Sequence, residues 1–106
     1  MSIEALPNLA QLNISPEELK IFCQRHQVRQ LALFGSVLGE DFNAESDIDV
    51  LVEFEPQAKV GYLSFFRLQD ELSALFGREV DLFTLNSLKP FARERAEASQ
   101  VPIYAA

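Results

Sequence analysis

One α/β (α+β) domain, built as a small mixed β-sheet with helices packed on it, is what the chain predicts. Three observations carry this. The 106-residue length is close to the usual size of one hydrophobic core. Apolar residues make up 48% of a chain without low-complexity stretches, which is enough to fill that core. Helical and strand-like periodicities alternate in the order α, β, β, α, β, α, the pattern of helices packed on a sheet.

Residues 1–14 belong to the single domain, 1–106. Their apolar positions (Ile3, Leu6, Leu9, Leu12, Ile14) are scattered and broken by Pro7, which fits either a flexible start or a docking arm. Ser15-Pro16-Glu17-Glu18 then reads as a helix start, with Ser15 as N-cap, Pro16 at the first helical position and Glu18 completing a capping box. That helix runs to about Gln27, and Leu19, Phe22 and Cys23 recur on one face, so the lone cysteine is read as a small core residue. His26 falls near the helix C-terminus, where the helix dipole favours a partly exposed imidazole.

Val28–Phe34 and Ile48–Phe54 read as strands, the first ending at Gly35-Ser36. From Gly61 to Phe76, Phe65, Leu68, Leu72, Leu75 and Phe76 keep helical intervals, and Gly77 supplies the stop. Glu79–Thr84 reads as a third strand, Pro90 to about Ala98 as a short helix, and Val101-Pro102-Ile103-Tyr104 as an extended piece that docks. Phe65, Phe66, Phe91 and Tyr104 could line an interface, but each is read first as a core residue.

Composition narrows the function. Nine Lys and Arg stand against sixteen Asp and Glu, and seven of the acids (Glu40, Asp41, Glu45, Asp47, Asp49, Glu53, Glu55) lie in one window without Lys or Arg. The remainder is electrically balanced, so no basic face exists for direct nucleic acid binding. A single cysteine excludes an internal disulfide and fits a cytoplasmic location. No apolar run is long enough to span a membrane, and the N-terminus lacks a secretion signal.

Within the second strand, alternation turns Asp47 and Asp49 to one face and Ile48, Val50 and Val52 to the other. Two aspartates are common at a solvated strand end. Beside an apolar sheet, however, paired like charges call for a proton or a hard divalent cation such as Mg²⁺. Gly35-Ser36 follows a buried strand, where a tight turn can present backbone N–H groups and a hydroxyl to a phosphate. Asp81 lies inside the apolar run Val80-Asp81-Leu82-Phe83 and needs a partner of its own. Gly35 to Gly39 lacks the Gly-Lys-Ser/Thr of a P-loop, and the Asp-x-Asp run lacks the polar ligands and glycine of an EF-hand.

Leu33-Phe34-Gly35-Ser36-Val37-Leu38-Gly39, then Ser46-Asp47-Ile48-Asp49-Val50-Leu51-Val52, then Val80-Asp81-Leu82, resembles the minimal nucleotidyltransferases of the DNA polymerase β-like superfamily, the MNT-domain proteins usually encoded beside a HEPN-domain partner. The likeness runs from about Val28 to the Pro102-Ile103-Tyr104 tail. It implies a polymerase β-like nucleotidyltransferase fold in which Asp47 and Asp49 bind metal and Asp81 is the third metal-binding and catalytic carboxylate, beside the attacking hydroxyl. Gly35, Ser36 and Ser46 would bind the nucleotide. The implied reaction is Mg²⁺-dependent transfer of AMP from ATP, with two ions neutralising the attacking and leaving oxygens and pyrophosphate as the leaving group.

The implied partner is a HEPN-type toxin, with this chain as antitoxin. Because so short a chain has no second wall for a substrate cleft, the acceptor site is expected to be completed by a partner or a second copy, that is, in a hetero- or homo-oligomer. Leu38 stands where many relatives carry an arginine, and losing a charge-assisted phosphate contact there removes about 1.5–3 kcal/mol. That departure supports an alternative in which the protein neutralises its partner by contact alone. Transfer to a small molecule such as an aminoglycoside is a third reading, disfavoured by the missing second domain.

Overall fold

The structure, a computed structural model, describes residues 15–35 and 46–106. Helix α1 spans Pro16–Arg25, strands β1 and β2 span Val28–Phe34 and Ile48–Phe54, and helix α2 spans Tyr62–Phe76. Strand β3 (Val80–Phe83), a single 3-10 turn (Leu85–Ser87), helix α3 (Pro90–Ser99) and strand β4 (Val101–Ala105) complete the order. The expected α/β arrangement of a mixed sheet with packed helices is present. The arm expected over residues 1–14 lies outside the described residues. Among the described residues, no helix is long and apolar enough to cross a membrane.

Local chemistry explains the element ends. Ser15 Oγ accepts a hydrogen bond from the Glu18 N–H at 3.3 Å, and Pro16 occupies the first turn, where its missing N–H costs nothing. Gly77 ends α2 at φ +71°, a left-handed stop that a side chain would strain.

The sheet has the order β3-β2-β1-β4. β1 pairs antiparallel with both β2 and β4, whereas β2 pairs parallel with β3. The C-terminal tail therefore does more than dock: it forms an edge strand, with Leu33 opposite Val101 and Leu31 opposite Tyr104. The helix α2 is the crossover that a parallel β2–β3 pair requires.

Alternation divides the sheet into two unlike faces. On the first, Leu31, Leu33, Ile48, Val50, Val52, Val80 and Leu82 pack under Leu19, Phe22 and Cys23 of α1 and Leu68, Leu72 and Phe76 of α2. Cys23 is fully buried in this core, as expected, and burial pushes its thiol pKa up to about 12, so it stays protonated and inert. The second face carries a smaller cluster, Ala32 and Leu51 with Ala96 of α3, bordered by Phe34, Phe83, Leu85 and Leu88.

Two expected core residues are exposed instead. Phe66 is 56% and Phe91 72% accessible. Neighbours on a helix point about 100° apart, so only one of Phe65 and Phe66 can join the Leu68–Leu72–Phe76 stripe. Phe65 takes that place and meets Phe54 edge-on, with ring centroids 6.5 Å apart. Phe91 instead carries the Arg95 guanidinium over its ring at 5.7 Å. Tyr104 is half-buried against the main core, as expected.

Candidate active site

The two faces meet different fates because β2 interleaves aspartate with branched apolar residues. Ile48 and Val50 are fully buried beneath the helices, so Asp49 between them must point to the second face. In β3 the same alternation buries Val80 and Leu82 and turns Asp81 to that second face. The parallel register sets Asp49 directly opposite Asp81, one strand spacing away. Asp47, two residues before Asp49, is exposed at the mouth of the same side.

Gly35 closes the site from β1. Phe34 is the register partner of Asp49, so the chain leaving β1 passes beside that carboxylate. A Cβ on Gly35 would lie 2.5 Å from Asp49 Oδ2, and the residue has φ +73°. Glycine is thus required twice, for its backbone conformation and for the space the carboxylate fills.

The electrostatics agree with this crowding. Asp49 is half-buried, and its carboxyl is held above the ordinary carboxylate range, first by burial and then by the negative charges of Asp81 and Asp47. Phe34 and Phe83 meet edge-to-face at 5.6 Å from strands on either side of β2, placing apolar rings beside the acidic pair. Neither of the ion pairs among the described residues, Arg25–Glu71 and His26–Glu71, involves these aspartates.

Hard oxygen donors from adjacent strands suit Mg²⁺ by chemistry. Among the described residues, however, no three acidic, His or Cys side chains already close around one point as a metal-holding group. The donors fit the ion in kind and in placement on one face. Ser46 is half-buried immediately before Asp47. Ser36 and Leu38 lie outside the described residues, so only Gly35 and Ser46 of the expected nucleotide-binding set are positioned.

Farther along the second face lies a groove of about 380 Å³, lined by Ala32, Leu51, Glu53, Thr84, Asn86 and Gln100 among others. The sequence reading did not include it, although the alternation that aims Asp49 also places Leu51 and Glu53 on its side. Thr84 and Asn86 enter through the 3-10 turn, which Thr84 and Ser87 cap reciprocally. Such a turn has no hydrophobic period to announce it.

The residues 17–102 match the model of the nucleotidyltransferase domain family. The Methanocaldococcus jannaschii protein MJ0128, named for protein adenylyltransferase activity, is 39% identical over 79 residues, covering 74% of this chain and 79% of that protein. A solved structure described as a minimal nucleotidyltransferase superposes with a TM-score of 0.67 at 31% identity, covering 96% of both chains. A chain from a toxin–antitoxin crystal structure with AMP-PNP shares the fold, with a TM-score of 0.69 at 17% identity over 88% of this chain and 75% of that one. This chain belongs to the nucleotidyltransferase domain family.

Proposed function

We propose that the protein is a Mg²⁺-dependent adenylyltransferase that moves AMP from ATP to a hydroxyl on a HEPN-domain toxin, and so acts as its antitoxin. The observation that carries the reading is the in-register pair of Asp49 and Asp81 on one sheet face, with the Asp49 carboxylate filling the space beside Gly35. The name of MJ0128 and the toxin–antitoxin setting of the structural neighbour support the substrate class and the partner.

In this reading Asp47 and Asp49 hold Mg²⁺, with Asp81 as the shared third carboxylate. When bound, the ions supply charge neutralisation for the attacking and leaving oxygens. Gly35, with Ser36 and Ser46, cradles the triphosphate through backbone N–H groups and the serine hydroxyls. Asp81 faces the acceptor and takes its proton as the new O–P bond forms and the bond to pyrophosphate breaks. Phe34 and Phe83 limit water beside the carboxylates, which strengthens each electrostatic contact there.

The test is incubation of the chain and its co-encoded partner with ATP labelled on the α-phosphate. Label should appear on the partner with Mg²⁺ and disappear with Asp49→Asn. No transfer with Mg²⁺ or Mn²⁺ overturns the reading. Undiminished protection from toxicity by the Asp47→Asn plus Asp49→Asn double variant would replace it with neutralisation by contact alone.

A further inference from the structure

Among the described residues, strand β3 is an edge strand, and one side of it has no neighbouring strand. Successive residues of a strand present their backbone groups to opposite sides, so Asp81 bonds toward β2 while Val80 and Leu82 face outward. Such outward N–H groups need partners or water.

They are met by α2. The Val80 N–H donates to Ser73 Oγ at 3.0 Å, and the Leu82 N–H donates to Gln69 Oε1 at 2.9 Å. The Ser73 hydroxyl in turn donates to the Gln69 carbonyl at 3.0 Å, so the same oxygen is both anchored and accepting. Four helical residues rise about 6 Å and two strand residues about 6.6 Å, so side chains at i and i+4 of a helix match N–H groups at i and i+2 of a strand. Asp81 sits between the two clamped positions.

We infer that Gln69 and Ser73 are positioning residues for the nucleotidyl transfer: they clamp the free edge of β3 on both sides of Asp81 and hold its carboxylate in register with Asp49. The inference rests on the adenylyltransferase reading for its kinetic consequence, and on the hydrogen bonds alone for its structural one. Neither residue touches the reacting atoms. Both lie on α2, whose apolar stripe belongs to the opposite face.

The two layers are tested separately. Gln69→Met keeps length and removes the acceptor, Gln69→Glu keeps an acceptor oxygen, and Ser73→Ala with Ser73→Thr makes the parallel pair. Amide hydrogen exchange on the isolated chain reads the clamp without any catalysis. Exchange at Leu82 should rise at least about tenfold in Gln69→Met, and exchange at Val80 should do the same in Ser73→Ala. In the transfer assay, kcat should fall about 10–100-fold in Gln69→Met, the usual effect of removing an outer partner, while KM for ATP stays unchanged and Gln69→Glu recovers most of the rate. Unchanged exchange at both amides overturns the clamp. Altered exchange with wild-type kcat, or kcat loss matched by a rise in KM and no recovery in Gln69→Glu, overturns the positioning role. Inactive wild-type protein overturns the adenylyltransferase reading instead and leaves the clamp to be decided by exchange.

Discussion

The two faces of the sheet share the same four strands and almost nothing else. The face under α1 and α2 is apolar and continuous from one helix to the other, whereas the face under α3 carries a smaller apolar cluster and holds opposed carboxylates. β2 serves both at once, alternating fully buried Ile48 and Val50 with half-buried Asp49. The large core lies on one side of the strand and the proposed chemistry on the other, so a substitution one residue along should change which property is lost.

Asp49→Asn gives the largest separation. Transfer should fall more than about a hundredfold, beyond what losing an outer partner of a metal ligand costs, without loss of folding stability. The wild-type carboxyl is raised by burial and by Asp81 and Asp47, so protonating it favours the folded state. Its contribution is complete below the ordinary carboxylate range and is lost as pH rises through the raised value. In metal-free melts, the Asp49→Asn variant should therefore gain on wild type as pH rises above the ordinary carboxylate range. A lower melting temperature than wild type at neutral pH would count against like-charge crowding.

Leu72→Ala tests the opposite face. Leu72 is fully buried, and its truncation should cost about 2–5 kcal/mol in urea unfolding. The molecules that remain folded should keep their transfer rate. A selective loss of kcat would show that the faces are not independent.

Among the described residues, two glycines with left-handed backbone sharpen the contrast. At Gly77, φ is +71° and a new Cβ meets nothing within 4 Å, so Gly77→Ala should cost only the left-handed penalty of about 1–2 kcal/mol. Gly35 has almost the same φ, but there the new methyl collides with the Asp49 carboxylate. Gly35→Ala should carry a similar strain and also lower transfer by more than about tenfold, through displaced carboxylate geometry. Equal activity in the two variants would remove the close approach from the argument.

The smallest effect belongs far from both. Glu71 Oε2 accepts from His26 Nε2 at 2.6 Å and Arg25 Nη2 at 3.3 Å, with Arg25 and Glu71 exposed and His26 partly buried. Glu71→Gln should change stability by less than about 1 kcal/mol and leave transfer unchanged.

Much was written locally. Val28–Phe34 and Ile48–Phe54 were delimited by β-rich runs, α1 by Ser15 and Pro16, and α2 by its apolar spacing and Gly77. Each signal depends on residues within a turn or a strand of one another, which is the range over which propensity and periodicity act. The facing of Asp47 and Asp49 followed from the same alternation.

What lay beyond that range was decided by tertiary pairing. The opposition of Asp49 to Asp81 depends on a parallel register across a crossover helix, and the pairing of the tail with β1 on an edge that no local pattern specifies. The exposure of Phe66 came from competition with Phe65 for one stripe, and the roles of Gln69 and Ser73 from a spacing match between α2 and β3. A sequence specifies which side chains share a face because the backbone period is fixed by bond geometry. Which faces meet, and at what offset, is a contest among distant surfaces that only the assembled fold resolves.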